Sequence, residues 1–252
     1  MAGGFGTRLR EETEYRPKPM VEIGDYPILW HIMKNLSVQG INEFILCLGY
    51  KGEQIRDYFL NYEARTGDVT VNLGKNSQIL RHSDIPPENW SVLLANTGLR
   101  TMTGGRIHRI QKYLGSERFF CTYGDGLANI NLSELLDFHT KHGKIASVTA
   151  VRPTNRFGSL TIDNNETVTN FSEKPRAEKW VNGGFFIFES KIFDFLNSDS
   201  VLEREPLERL SALGELKAYK HSGFWQPMDT YRESQELNDL WSSNSAPWRN
   251  WP

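Results

Sequence analysis

Short apolar runs that close on glycine, each followed by an amphipathic stretch, recur through the first half of the chain and restrict its fold more than any other feature. Phe44-Ile45-Leu46-Cys47-Leu48 ends at Gly49, and residues 51–63 then carry Ile55, Tyr58, Phe59 and Tyr62 on one helical face. Phe119-Phe120-Cys121-Thr122-Tyr123 runs into Gly124-Asp125-Gly126, and a helix capped by Ser133 follows to about His142. Upstream, Pro27 opens and Gly40 closes a helix bearing Ile28, Trp30, Ile32, Met33 and Leu36. Residues 69–96 read as extended, with Val69–Val71 and Val92–Leu94 the clearest strands, and Gly104-Gly105 precede a helix to about Leu114. Strand, glycine turn and helix in succession predict a parallel sheet with crossover helices.

The second half has another character. Ser147–Val151, Ser159–Ile162, Val168–Phe171 and Gly184–Phe188 read as strands with little helix between them, so this part is expected to be mixed or antiparallel. Helices over about 203–213 and 229–242 follow, and the chain ends in Ala246-Pro247-Trp248-Arg249-Asn250-Trp251. No repeat or long linker interrupts the pattern, which predicts one domain over residues 1–242 and a tryptophan-bearing tail over 243–252.

Composition excludes several classes of function. With 29 Lys plus Arg against 31 Asp plus Glu the chain has no broad polyanion-binding surface, so no nucleic-acid partner is expected. No apolar run approaches the roughly 18 to 20 residues that span a bilayer, so no membrane span is expected. The opening residues lack a signal-peptide profile, and Cys47 and Cys121 sit inside apolar runs as core thiols. A reducing, cytoplasmic setting is the expectation.

Candidate chemistry is spread along the chain. Gly3, Gly4 and Gly6 offer unshielded backbone N–H groups with Thr7 and Arg8 just beyond, which suits a phosphate cradle and equally an ordinary tight turn. Leu9 stands where a dinucleotide fingerprint needs its third glycine, which disfavours a nicotinamide-dependent oxidoreductase, and no Gly-Lys-Ser/Thr follows for a Walker loop. Lys18 is held between Pro17 and Pro19, either aimed at an anion or solvated in a loop. Asp125 lies past the carboxyl end of an apolar strand, the edge where open α/β sheets bind ligands. A hard cation there needs a second carboxylate, for which Asp229 is the candidate, although Asp before Thr is also a common helix start. Arg106, at a helix start, suits a phosphate or the surface; Glu173, Lys174 and Asn182 flank strands and could hydrogen-bond a sugar. His139 and His142 lie on a polar helix stretch, and neither a metal site nor a Ser-His-Asp arrangement is read from the scattered histidines.

Together these segments resemble the sugar-1-phosphate nucleotidylyltransferases over essentially the whole chain. The motifs are A-G-G-F-G-T-R-L, R-P-K-P-M-V-E-I-G, L-G-Y-K-G, T-Y-G-D-G, R-F-G-S-L, F-x-E-K-P and N-G-G-F-F. M-T-G-G-R, G-F-W-Q-P-M-D-T and the tryptophan tail are similar to the CTP-using branch. The resemblance implies a Rossmann-like three-layer α/β nucleotidyltransferase fold, with a mostly parallel mixed central sheet and a small antiparallel addition. It implies formation of CDP-glucose and pyrophosphate from CTP and α-D-glucose 1-phosphate, for CDP-linked deoxysugars of bacterial surface polysaccharide. By the same resemblance Gly3, Gly4, Gly6, Thr7 and Arg8 hold the nucleotide, with Arg8, Lys18 and Arg106 on its phosphates as the catalytic cations. Asp125 and Asp229 hold Mg²⁺, and Glu173, Lys174 and Asn182 bind the sugar phosphate. A homo-oligomer, a hexamer in the resembled family, is implied, with Trp248 and Trp251 expected to dock on a neighbouring chain. In that family an apolar strand of about five residues aims the glycine loop from ahead of Ala-Gly-Gly, and here Met1 takes the place of its last residue. The alternatives that follow are a homologue that only binds nucleotide, or an enzyme using UTP or dTTP.

Overall fold

The computed structural model describes residues 1–4, 13–73, 78–82, 88–154, 158–173 and 176–251. Prolines 17 and 19 bend the chain into a 3-10 turn at Lys18–Met20, and a tight hairpin of β1 (Glu22–Ile23) and β2 (Tyr26–Pro27) follows. Its turn contains Gly24 at φ 60°, where glycine carries no side-chain penalty. Pro27 then starts α1 (Ile28–Ser37), which buries Ile28, Leu29, Trp30, Ile32, Met33 and Leu36. Next come β3 (Glu43–Leu48), α2 (Gly52–Leu60), α3 (Tyr62–Arg65), the exposed hairpin β4 (Val69–Asn72) and β5 (Gln78–Arg81), and β6 (Ser91–Asn96). β3 and β6 pair in parallel, as the crossover pattern predicts.

α4 (Thr103–Leu114) takes Gly104 and Gly105 into its first turn instead of starting after them. The reason is close backbone approach: the Gly105 amide donates to the Ser200 carbonyl at 2.9 Å, and a Cβ on Gly104 would stand 2.8 Å from that oxygen. β7 (Phe119–Thr122), β8 (Gly126–Ala128) and α5 (Leu132–His142) follow. The cap of α5 is Asn131, whose side chain accepts the Glu134 amide, so the helix starts before Ser133.

The second half supplies β9 (Ala146–Val151), the exposed hairpin β10 (Ser159–Ile162) and β11 (Val168–Ser172), and β12 (Val181–Phe188). A 3-10 segment over Ser190–Phe195, α6 (Glu205–Ala212), β13 (Leu216–Lys220), β14 (Trp225–Pro227) and α7 (Tyr231–Ser242) complete the chain. The larger sheet has the order β13-β9-β12-β7, with β13 parallel to β9 and β12 antiparallel to both neighbours. The fold is therefore mixed α/β around a mixed sheet.

Met1 and Ala2 join the two sheets. The Met1 amine donates to the Thr122 carbonyl at 2.5 Å and its carbonyl accepts the Gly124 amide at 3.0 Å, while the Ala2 amide donates to Cys47 on β3 at 3.2 Å. From Met1 an apolar cavity of about 750 Å³ extends between β3 and β7, walled also by α1, α4 and α5.

The tail corrects one expectation. Trp248 does not present its ring to a neighbouring chain: it is fully buried in its own domain, with its carbonyl accepting from Asn35 at 2.7 Å. Trp251 joins the same aromatic cluster, against Trp30, His31 and Trp241. Ring area on a short chain end is most cheaply removed from water by the helix beside it, here α1.

Candidate active site

A cleft of about 580 Å³ opens where Gly3 and Gly4, the Lys18 turn, the end of β7, β12 and β14 meet. The local sequence explains how its side chains converge. Phe119–Thr122 is extended and ends in Tyr123-Gly124-Asp125, which throws Asp125 beyond the strand. Gly124 suits the close approach of the Lys18 turn there, since a Cβ would stand 3.1 Å from Pro19 Cγ and 3.2 Å from the Met1 carbonyl oxygen. β8 then pairs antiparallel with β14, Pro227 opposite Gly126, and the Met228 amide continues the ladder to the Asp125 carbonyl at 2.8 Å. This short ladder sets Asp229 beside Asp125 although the two are over a hundred residues apart in sequence.

Asp229 is fixed from its other side by the start of α7. Thr230 caps the helix and accepts the Glu233 amide, and Glu233 returns its carboxylate to the amides of Asp229 and Thr230 at 2.8 and 2.9 Å. This capping box holds the Asp229 backbone while its carboxylate faces the cleft.

Lys18 completes the centre. Its Nζ donates to Asp125 Oδ2 at 2.7 Å and to Asp229 Oδ1 at 2.5 Å. Burial pulls the ammonium pKa down, but the two carboxylates, Asp125 first, outweigh it and hold the pKa above the ordinary lysine value. The lysine therefore stays charged. Two hard carboxylates meeting at one cation are a donor set suited to a divalent ion that takes its remaining ligands from phosphate. No group of three or more His, Cys, Asp or Glu placed to hold a metal occurs among the described residues.

Asn182 lines the opposite wall on β12, where the register shifts and Gly184 takes φ 80°. Its side-chain oxygen accepts the Gly184 amide at 2.8 Å. Tyr123 and Trp225 also line the cleft, and the Trp225 indole donates to the Gly183 carbonyl at 2.7 Å. Neither aromatic was singled out from the sequence; each sits beside an acidic motif, in T-Y-G-D-G and F-W-Q-P-M-D, and adjacency was the available signal.

The cleft thus gathers Gly3, Gly4, Lys18, Asp125, Asn182 and Asp229. Gly6, Thr7, Arg8 and Lys174 lie outside the described residues. Glu173 is exposed at the end of β11, away from the cleft walls. Arg106 has a role other than the expected phosphate contact. It is buried and donates to Leu48 O at 3.0 Å, Thr97 Oγ1 at 2.7 Å, Gly98 O at 2.9 Å and Gly3 O at 2.9 Å. A guanidinium surrounded by chain oxygens within its own fold supports Gly3 from behind rather than meeting a ligand.

Comparison with known proteins agrees with this geometry. Residues 1–226 match the profile of the Nucleotidyl transferase family. The glucose-1-phosphate cytidylyltransferase of Salmonella typhi is 48% identical over 254 aligned positions, covering 100% of this chain and 98% of that protein. The probable glucose-1-phosphate cytidylyltransferase of Bacillus subtilis is 44% identical with the same coverage. Among solved structures, HddC from Yersinia pseudotuberculosis superposes with a TM-score of 0.68 at 24% identity, covering 95% of this chain and 96% of that one. The UDP-glucose pyrophosphorylase of Acinetobacter baumanii gives 0.67 at 17% identity, over 94% and 90%. At such identities the structures report a shared fold.

Proposed function

Since this chain belongs to the nucleotidyl transferase family, we propose that it transfers the cytidylyl group of CTP to α-D-glucose 1-phosphate, giving CDP-glucose and pyrophosphate. It is a nucleotidyltransferase, and the single observation that carries the base and sugar assignment is the near-half identity, over the whole chain, to cytidylyltransferases of that substrate pair.

The residues suit the chemistry. A sugar phosphate oxygen is already a charged nucleophile, so no general base is needed, and the difficulty is bringing two anions together for in-line attack at the α-phosphorus. Lys18 places a permanently charged donor at the floor of the cleft, where it can meet phosphate oxygens. Gly3 and Gly4 line the same space, and Gly4 brings no side chain into it. Arg106 anchors Gly3 through its carbonyl. Asp125 and Asp229 would hold Mg²⁺, which when bound offsets charge on the triphosphate and the departing pyrophosphate. Asn182 is the sugar-facing group that the cleft itself supplies; Thr7, Arg8, Glu173 and Lys174 enter the proposal through the family resemblance. A homo-oligomer and a cytoplasmic setting belong to the same proposal, the first supported by the family and no longer by the tail. No helix among the described residues is long and apolar enough to cross a membrane.

The test is pyrophosphate release from each nucleoside triphosphate in turn, with Mg²⁺ and glucose 1-phosphate. Release with CTP well above UTP and dTTP is expected. Release with UTP or dTTP but not CTP overturns the base assignment, and CTP binding without turnover supports the binding-only alternative.

A further inference from the structure

The motif L-G-Y-K-G, residues 48–52, joins β3 to α2 and lines none of the cleft walls. Its lysine stands in an unfavourable place. Lys51 takes φ 49° and ψ 31° at the start of α2, where a side chain carries a steric cost, and it makes no side-chain bond to the helix amides. Glycine or asparagine would serve the helix start better. What the lysine contributes lies at the far end of its stem, where Nζ donates to the Glu14 carbonyl. Three residues on, the Gln54 side-chain amide donates to the Tyr15 carbonyl at 2.9 Å.

The same turn reaches the other side of the glycine-rich segment. The Tyr50 amide donates to the Gly3 carbonyl at 3.4 Å, and Gly49 permits the approach, since a Cβ there would stand 2.6 Å from that oxygen. Gly3 lines the cleft, and Tyr15 is followed after two residues by Lys18, whose own turn packs against α2. Residues 49–54 therefore touch the chain at Gly3, before the segment, and at Glu14 and Tyr15, after it. Donors on the rigid start of a helix hold the arm that carries Lys18 before a nucleotide arrives, so less ordering is left for binding to offset.

We propose that Lys51 and Gln54 are positioning residues for the nucleotide: the turn between β3 and α2 clamps the chain on both sides of the glycine-rich segment and so fixes where Lys18 meets the triphosphate. This rests on reading the cleft as the nucleotidyl-transfer site, with Lys18 on the nucleotide phosphates.

The experiment compares Lys51→Gly, Lys51→Arg and Gln54→Ala with the parent protein. Lys51→Gly removes the donor and relaxes the left-handed backbone, so its unfolding midpoint should stay close to that of the parent. The KM for CTP should rise about fivefold in Lys51→Gly and in Gln54→Ala, the scale of one hydrogen bond, while the KM for glucose 1-phosphate moves less than about twofold. Lys51→Arg, which keeps an N–H donor on a long stem, should recover most of the loss. Amide hydrogen exchange read without substrate should quicken over residues 15–21 in Lys51→Gly and Gln54→Ala and stay unchanged in β13. Equal shifts in both KM values, no shift in the KM for CTP, a Lys51→Arg variant as impaired as Lys51→Gly, or a KM shift in Lys51→Gly that comes with a marked loss of stability overturns the proposal while leaving the functional reading intact. If the parent releases no pyrophosphate from CTP, that reading fails, and hydrogen exchange still decides whether Lys51 and Gln54 order the Lys18 arm; unchanged exchange overturns it.

Discussion

At the scale of single residues, the centre is governed by one cation between two anions. Lys18 relieves the repulsion of Asp125 and Asp229 and is kept charged by them. Lys18→Met would leave the carboxylates facing each other and remove the cation from the phosphate path. Its kcat should fall by at least about 10²-fold, the scale of losing one preorganised electrostatic group. Asp125→Asn and Asp229→Asn should each cost a comparable factor. Steady-state pyrophosphate release checks all three, and near-normal turnover in any variant removes that residue from the reaction. Lys18→Arg should recover little, because a bulkier planar guanidinium does not fit the point where the two carboxylates meet.

At the scale of elements, the site depends on two short pieces: the β8–β14 ladder and the first turn of α7. Thr230→Ala removes the cap and should cost about 1 kcal/mol of stability, read as a shift in the unfolding midpoint. Because Glu233 spans the Asp229 and Thr230 amides, the variant should also lose some turnover; unchanged stability would show that the cap is dispensable. These pieces also mark where the sequence stops being informative. Asp125 was legible because the apolar run and its glycines are contiguous. Its convergence with Asp229 is legible through the family resemblance and not from the local pattern, because three residues containing a proline carry too little pattern to be read as the strand β14. Arg106 was read toward the ligand because a cation at a helix start looks the same whichever way it faces, and its decisive partner, the Gly3 carbonyl, is 103 residues away. The parallel pairing of β3 and β6 was foreseen, since hydrophobic periodicity is a local property.

At the scale of the whole molecule, the two ends of the domain are locked together around a neutral histidine. His31 is fully buried on α1, with Nε2 donating to the Ile23 carbonyl at 2.8 Å and Nδ1 accepting the Trp248 indole N–H at 3.4 Å. Trp241 and Trp251 pack around the ring. Burial lowers its pKa to about 4, against two backbone hydrogen bonds that raise it. His139 and His142 are lowered as well, by burial first, and share the Ser147 hydroxyl, His139 also reaching Glu189. A histidine with a depressed folded pKa binds more protons when unfolded, so its contribution to stability is fully present above about pH 6.5 and drains away as pH falls toward 4. For His31 alone the depression corresponds to roughly 3 kcal/mol at most. Urea unfolding midpoints should therefore be level from pH 8 to 7 and fall steadily from pH 6.5 to 5. His31→Asn, which cannot take up the proton, should start less stable and show a shallower fall. A parent protein whose midpoint is flat or rising as pH drops through that window would mean that the tail is not fastened through a neutral His31.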